Sequence, residues 1–448
     1  MIKLGDTMLD VVYIAGVLLI LGCAIAITKL YGKNLAAEVS RKIIHITMGC
    51  AALAFPYIFK SKISVVILGV LAMAFLLFLR SKTGRKTGAG SPLLGIGRKS
   101  YGEIFFVMSI MSVFILFKEP FEYLISIAVL TFADSAAALV GVSYGRHSLS
   151  GEHESRKSGE GSLVFFNVAF ICALIPLQLM TQIGRAEVLV ISFLIGFLAA
   201  MVEAVSENGG DNLLLPLLTY SFLRYNCGKP LEFLVNNFSV MLIFLAVIIV
   251  IGKIAKFTRL AAAYALLVAY IVMIQGGILW VIPPALTLIT VGILPFMNSR
   301  EKQFPVPHRV IECNTLVGVI CLYISVFLPP YRELLYISFS LSFACSLMVS
   351  TYHRFINYVT AKAFIAAICG ISKAFVFIAL PTFLIARADF KIIVLYIAFL
   401  LVSLPFAISL RKRFDYTKMS AETVRANEIL VGLITLFFTL TACLPRLR

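Results

Sequence analysis

Uninterrupted apolar runs recur along the whole chain, most of them roughly 17–25 residues long with few charges, the length a helix needs to cross a hydrocarbon core. In the first half they fall at 8–28, 43–59, 62–79, 101–117, 121–143, 162–182 and 187–206, followed by a shorter run at 212–225 broken by Pro216. A second series follows at 237–251, 260–276, 278–297, 313–328, 334–350, 362–385, 391–410 and 427–444. Apolar residues run continuously rather than alternating, which excludes a membrane β-barrel. The expected fold is therefore all-α, a polytopic transmembrane helical bundle of about 14–16 spans. The shorter runs leave re-entrant segments open as an alternative to full crossings.

Composition agrees: 60% of the 448 residues are hydrophobic and 14% charged, beyond what a water-soluble domain can cover with polar surface. The run at 8–28 shows no small-residue cleavage site and reads as a retained first span. A net charge of +17 could suggest nucleic acid, but the Lys and Arg residues sit in short loops between spans. They therefore read as orientation signals facing anionic headgroups, with no nucleic-acid partner. The richest early loop is 80–99, with Arg80, Lys82, Arg85, Lys86, Arg98 and Lys99, and it is expected in the cytoplasm. Alternation then puts 29–42, 144–161 and 207–211 on the same side and the N-terminus outside. If 212–225 crosses, the basic loops 252–259, 298–312, 351–362 and 411–426 also fall inside. Pro305 and Pro307 punctuate the second half without marking a soluble domain. Nine scattered cysteines form no C-x-x-C or Cys/His cluster at metal spacing.

Charged groups inside apolar runs are costly, roughly 2.5–3.5 kcal/mol each on insertion scales, so an intramembrane acid points to function. Asp134 lies well inside the fifth run, and Asp134, Ala138, Gly141 and Gly145 share one helical face at i, i+4, i+7 and i+11. This stripe serves either close helix packing or the approach of a ligand to the backbone, and the acid at its head favours the ligand. Beyond it, Lys157-Ser158-Gly159-Glu160-Gly161-Ser162 leads straight into the sixth run. A turn of this kind, with free backbone N–H groups beside cations, suits a phosphate; the plain alternative is a serine-capped charged loop. Glu203, Glu207 and Asp211 recur at i+4 spacing, with Gly209 and Gly210 arguing against a continuous helix. Hard oxygen ligands of this sort, brought near Asp134 and Glu160, suit Mg²⁺ bound together with substrate phosphates. Arg41, Lys42 and His45 open the second run, and Arg98 to Glu103 repeats the arrangement at the fourth. Taken singly, such cations read as span anchors.

In this order the segments resemble the family of CTP-dependent polyprenol, dolichol and phytol kinases, over about residues 38–225. The matching elements are Arg41-Lys42 with His45; Tyr101-Gly102-Glu103; Asp134 to Gly141 with Gly145; Lys157 to Ser162; Glu203; and Asp211-Asn212 with Pro216. The resemblance implies transfer of the γ-phosphoryl group of CTP to a lipid alcohol at the cytoplasmic surface, with Mg²⁺ as cofactor. It assigns catalytic roles to Asp134, Lys157, Glu160, Glu203 and Asp211, with Asp134, Glu160 and Asp211 on the metal. CTP is expected at Gly141, Gly145, Lys157, Ser158, Gly161, Ser162 and Asn212, and the substrate or headgroup at Arg41, Lys42, His45 and Glu103. Asp134 and Glu203 both stay open as the base. The chain departs from the pattern in the acidic, His-containing stretch between Gly145 and Lys157, and at Gly159, where a larger side chain is expected.

The expected organisation is a catalytic membrane domain at 1–235 and a further transmembrane domain at 236–448, which carries no motif of this kind. The membrane is a bacterial inner membrane, endoplasmic reticulum or plastid. Two alternatives remain at this point. A CDP-diacylglycerol synthase-like cytidylyltransferase shares a related loop but has a His-Asp-x-x-Gly-Asp stretch not found here. A transporter or lipid-binding scaffold would place its site near the midplane instead of on one face.

Overall fold

In the computed structural model, the structure describes residues 4–32, 37–87, 101–147, 157–206, 209–254, 256–290, 308–358, 362–411 and 421–443. Much of the basic loop 80–99, including Arg98 and Lys99, lies outside the described residues, as do 148–156, Glu207, Asn208, Pro305 and Pro307. The described residues contain helices and no β-strand. Among them ten helices are long and apolar enough to cross a membrane, with four shorter apolar helices beside them. The chain is an all-α, multi-pass membrane protein.

The chain divides into two compact units, 1–238 and 239–448. The first contains α1 (Leu4–Tyr31), α2 (Ala37–Leu53), α3 (Lys62–Arg80), α4 (Gly102–Leu116), α5 (Pro120–Ala128), α6 (Asp134–Tyr144), α7 (Gly159–Met180), α8 (Arg185–Val205) and α9 (Asp211–Asn226). Helix Leu231–Ile254 carries the division. In the second unit, Arg332–Tyr358 is almost wholly buried among its neighbours. Its Ser340 hydroxyl meets Thr382 and, at 3.1 Å, the Tyr396 hydroxyl, and Ser338 accepts from Thr439 at 2.8 Å. Such hydroxyl pairs are ordinary interhelical glue in an apolar bundle.

Six of the sixteen expected spans fall outside the ten: four are the shorter apolar helices, and α2 and α9 are in neither set. α2 starts at Ala37, ahead of the apolar run, because Glu38, Arg41 and Lys42 are helical and find partners inside the protein. α9 is not broken by Pro216 but passes through it. Pro216 lacks the N–H that would bond the Asn212 carbonyl, so one rung is lost without ending the helix.

The fifth span is continuous from Pro120 to Tyr144, but its middle, Val129–Ala133, winds as a π-helix immediately before Asp134. A π-turn inserts one residue and so re-aims the side chains beyond it. α2 crosses this point closely. A Cβ on Gly49 would stand 2.1 Å from the Thr131 hydroxyl, so only glycine lets the two backbones approach. At the N-terminal end of this span, Glu122 accepts from the backbone of Lys118 and Glu119 and pairs with Arg224 at 3.2 Å. A second buried acid, Asp10 on α1, accepts from Ser64 at 2.6 Å.

Gly49 lies two turns from Lys42 on α2, so its packing also sets that lysine's reach. Gly49→Ala is expected to lower stability by about 1–3 kcal/mol through overpacking. It should also lower activity more than an equally destabilising change in the second unit; thermal unfolding and turnover of the same detergent-purified preparations measure both.

Candidate active site

Three polar groups converge on one end of the first unit. The first surrounds Asp134, at the head of α6. Lys42, with a side chain 1% exposed, donates to Asp134 Oδ2. His45 Nε2 lies 3.6 Å from the same oxygen and 3.1 Å from the Leu130 carbonyl, and its ring leans on Phe106. Arg41 pairs with Glu38 at 2.5 Å. The charge that the sequence places inside a span is thus compensated from a neighbouring helix.

The second group joins three helix ends. Lys157 Nζ donates to the backbone carbonyl of Glu203 and lies 3.3 Å from Glu203 Oε1 and 3.6 Å from Asp211 Oδ2. Ser162 donates to Glu203 Oε2 at 3.2 Å. Burial works against the charge on Lys157, but Glu203 and Asp211 outweigh it and hold the ammonium above the ordinary lysine value. Asn212 donates to the Gly102 carbonyl at 2.9 Å, tying the start of α9 to the start of α4. The two groups form one electrostatic centre: Asp134 acts on both Arg41 and Lys157, and Asp211 does the same.

The third group is a clasp. Glu160 Oε1 meets His147 Nδ1 at 2.6 Å, Glu160 Oε2 accepts from the N–H groups of Arg146 and His147, and Gly159 N–H donates to the His147 carbonyl at 2.9 Å. Here the expected cradle is corrected. The N–H groups of Gly159, Gly161 and Ser162 are already used, by the His147 carbonyl, the Ser158 hydroxyl and the Ser158 carbonyl. The turn is closed on itself because Ser158 caps α7. What the turn offers a phosphate is the charge of the Lys157 ammonium and the positive end of the helix dipole, with the Ser162 hydroxyl already donating to Glu203.

The glycine stripe packs against this turn. A Cβ on Gly161 would lie 3.1 Å from the Ala137 carbonyl, and one on Gly145 would lie 2.8 Å from the Ser158 hydroxyl. Gly141 also faces Ser158. These glycines bring the turn holding Lys157 onto the helix that holds Asp134. Asp134, Glu160 and Asp211 are not gathered into one cluster, and among the described residues no group of three or more His, Cys, Asp or Glu is placed to hold a metal ion. Each of the three has its own cationic or imidazole partner: Lys42, His147 and Lys157 respectively.

Beside the charged centre is a partly open cavity between α1, α2, α3 and α4. Its lining is apolar except for Arg41, His45, Glu103 and Asn212, which come from the N-terminal parts of α2, α4 and α9. Glu103 is held there by Arg80 at 2.6 Å. Arg41 and His45, one turn apart on α2, both line the cavity as their spacing anticipates. Sequence reasoning missed the cavity itself, because the residues that line it are of the types that face lipid elsewhere. It also missed Gly49 and His147.

Phytol kinase from Synechocystis sp. is 31% identical to this chain over 189 residues, covering 40% of this chain and 76% of that protein. The chain belongs to the phytol and polyprenol kinase family. No family model and no solved structure matches it. Membership makes it a transferase of the lipid-alcohol kinase type, with the match accounting for part of its length. For a kinase of this family, the geometry joins an apolar compartment to an ionic one through Arg41 and His45.

The Lys42–Asp134 pair gives a direct check. Lys42→Met removes the ammonium nearest to Asp134 and leaves only His45 and Arg41 beside it, and is expected to cost about 3 kcal/mol of stability. The double variant Lys42→Met/Asp134→Leu should recover most of that loss in thermal unfolding while staying inactive.

Proposed function

We propose that this protein transfers the γ-phosphoryl group of CTP to the hydroxyl of an isoprenoid alcohol such as phytol, a polyprenol or dolichol, at the cytoplasmic face of its membrane. The observation that carries this reading is the cavity whose one polar end abuts the Asp134, Lys157, Glu203 and Asp211 centre. A lipid tail fits the apolar part, and its hydroxyl then lies beside Arg41 and His45. The family relationship supports a lipid alcohol as acceptor, and the basic loops support a cytoplasmic site.

Phosphoryl transfer asks a protein mainly to position reactants and to neutralise spread negative charge. Lys157 and the N-terminal end of α7 hold the triphosphate, and Arg41 adds charge from the lipid side. Glu203 and Asp211 both lie within 4 Å of one cationic nitrogen, so their oxygens fit the one or two carboxylates that Mg²⁺ takes when it binds with phosphates. When bound there, Mg²⁺ supplies charge neutralisation on the phosphate oxygens. One of two carboxylates, Asp134 beside the pocket-lining His45 or Glu203, accepts the proton of the alcohol as its oxygen bonds to the γ-phosphorus and CDP leaves. Glu160 acts by keeping the Lys157 turn in place through His147. Gly141 and Gly145 act through the same turn.

Incubation with [γ-³²P]CTP, Mg²⁺ and phytol or geranylgeraniol in detergent should move label into the lipid extract. Asp211→Ala should reduce it by roughly 10²-fold or more, the scale of losing a charged group that acts in the transition state. Release of pyrophosphate from CTP with phosphatidic acid, without a labelled alcohol, overturns the reading in favour of a cytidylyltransferase.

A further inference from the structure

Building on that kinase reading, we infer that Phe55 and Met111 set the length of the isoprenoid chain the site accepts. The cavity is a slot with one polar end. From Arg41 to Ala52, both in its wall, α2 rises about 16 Å, roughly half the ~30 Å thickness of a hydrocarbon core. One slot with one polar end takes one tail.

Farthest from Arg41 along α2 the lining ends at an aromatic cluster. Phe55 lines the cavity and packs edge-to-face on Phe59 at 5.1 Å and Phe114 at 6.4 Å between ring centroids. Phe114 packs in turn on Phe117 and Tyr123, and the Tyr123 hydroxyl is tied to the Ala52 carbonyl at 3.1 Å. A tail that reaches Phe55 therefore meets a wall fixed to three segments of chain, and a ring cluster of this kind yields less than a lone side chain.

The side wall is set differently. A Cβ on Gly69 of α3 would stand 2.0 Å from the sulfur of Met111 on α4, and both residues line the cavity. Met111 occupies the space that glycine leaves. Its unbranched side chain is free to shift, and the cavity is the open volume beside it. Adding a methyl at Gly69 thus pushes Met111 into the slot, whereas removing Met111 widens it. The two substitutions should move chain-length preference in opposite directions, which general damage to the fold would not do.

The test compares kcat/KM for farnesol, geranylgeraniol and solanesol in the wild type, Gly69→Ala, Met111→Ala and Phe55→Ala. The wild type should favour geranylgeraniol over solanesol by about tenfold or more, at the low end of what a hydrophobic pocket discriminates. Phe55→Ala and Met111→Ala should shrink that ratio, and Gly69→Ala should shift preference toward farnesol. Ratios that stay fixed in all three variants overturn the inference. A geranylgeraniol analogue with a photoreactive terminal diazirine tests the same slot without turnover. Adducts should fall on the peptides carrying Phe55 or Met111 and be competed by geranylgeraniol but not by solanesol. Adducts elsewhere, or equal competition by solanesol, overturn the ruler. Absence of label transfer from CTP alongside the expected adducts would instead refute the kinase reading and leave the ruler standing.

Discussion

A carboxylate held inside an apolar bundle must have a cation beside it, and the arrangement of the first unit follows from meeting that need at Asp134. The partner, Lys42, comes from another helix, so α2 has to lie against the fifth span within a side chain's length. Gly49 permits the contact, and the π-turn at Val129–Ala133 directs the carboxylate toward it. Replacing such a pair by apolar residues often costs a protein nothing, whereas breaking it costs several kcal/mol. An ion pair kept on the helix whose Arg41 and His45 line a cavity is thus better explained by chemistry than by stability.

The same ion pair fixes where the two compartments of the site meet. Arg41 and His45 flank Lys42 on α2 and both face the apolar slot. On the opposite side, the turn from Lys157 to Ser162 is drawn onto α6 by the close contact of Gly161 and Gly141 with Ser158 and Ala137. Lys157 then reaches across to the end of α8 and the start of α9. On the proposed reading, an alcohol carried in the membrane and a phosphate donor carried in water arrive from opposite sides of one short ionic network, and neither needs to leave its own solvent. The water-facing end is built from helix termini, which supply charge and dipole without burying backbone groups unsatisfied.

The all-α membrane bundle was legible in the sequence because long apolar runs allow little else in lipid. The charged centre was legible in part. Asp134 stood out as an acid in a span, and Lys157, Glu203 and Asp211 do meet. Their pairing did not follow from spacing, and neither did that of Lys42 with Asp134, which are far apart in the chain and brought together only by the crossing of two helices. The free phosphate cradle failed because the His147 carbonyl takes the Gly159 N–H, a contact made by a residue with no sequence signature. Buried Asp10, held by Ser64, was missed because a single acid near a span terminus reads as interfacial. The apolar cavity had no signal at all, because leucine, valine and phenylalanine facing a slot look the same as those facing lipid.

The central claim is that alcohol and nucleotide meet at the Arg41, His45 and Lys157 end of the slot. A structure determined with β,γ-methylene-CTP, Mg²⁺ and geranylgeraniol tests it most directly. The account predicts phosphate oxygens within hydrogen-bond reach of Lys157 and the alcohol oxygen between Arg41 and His45, with the tail along α2. Phosphates bound away from Lys157, or an alcohol seated outside the slot, would contradict it.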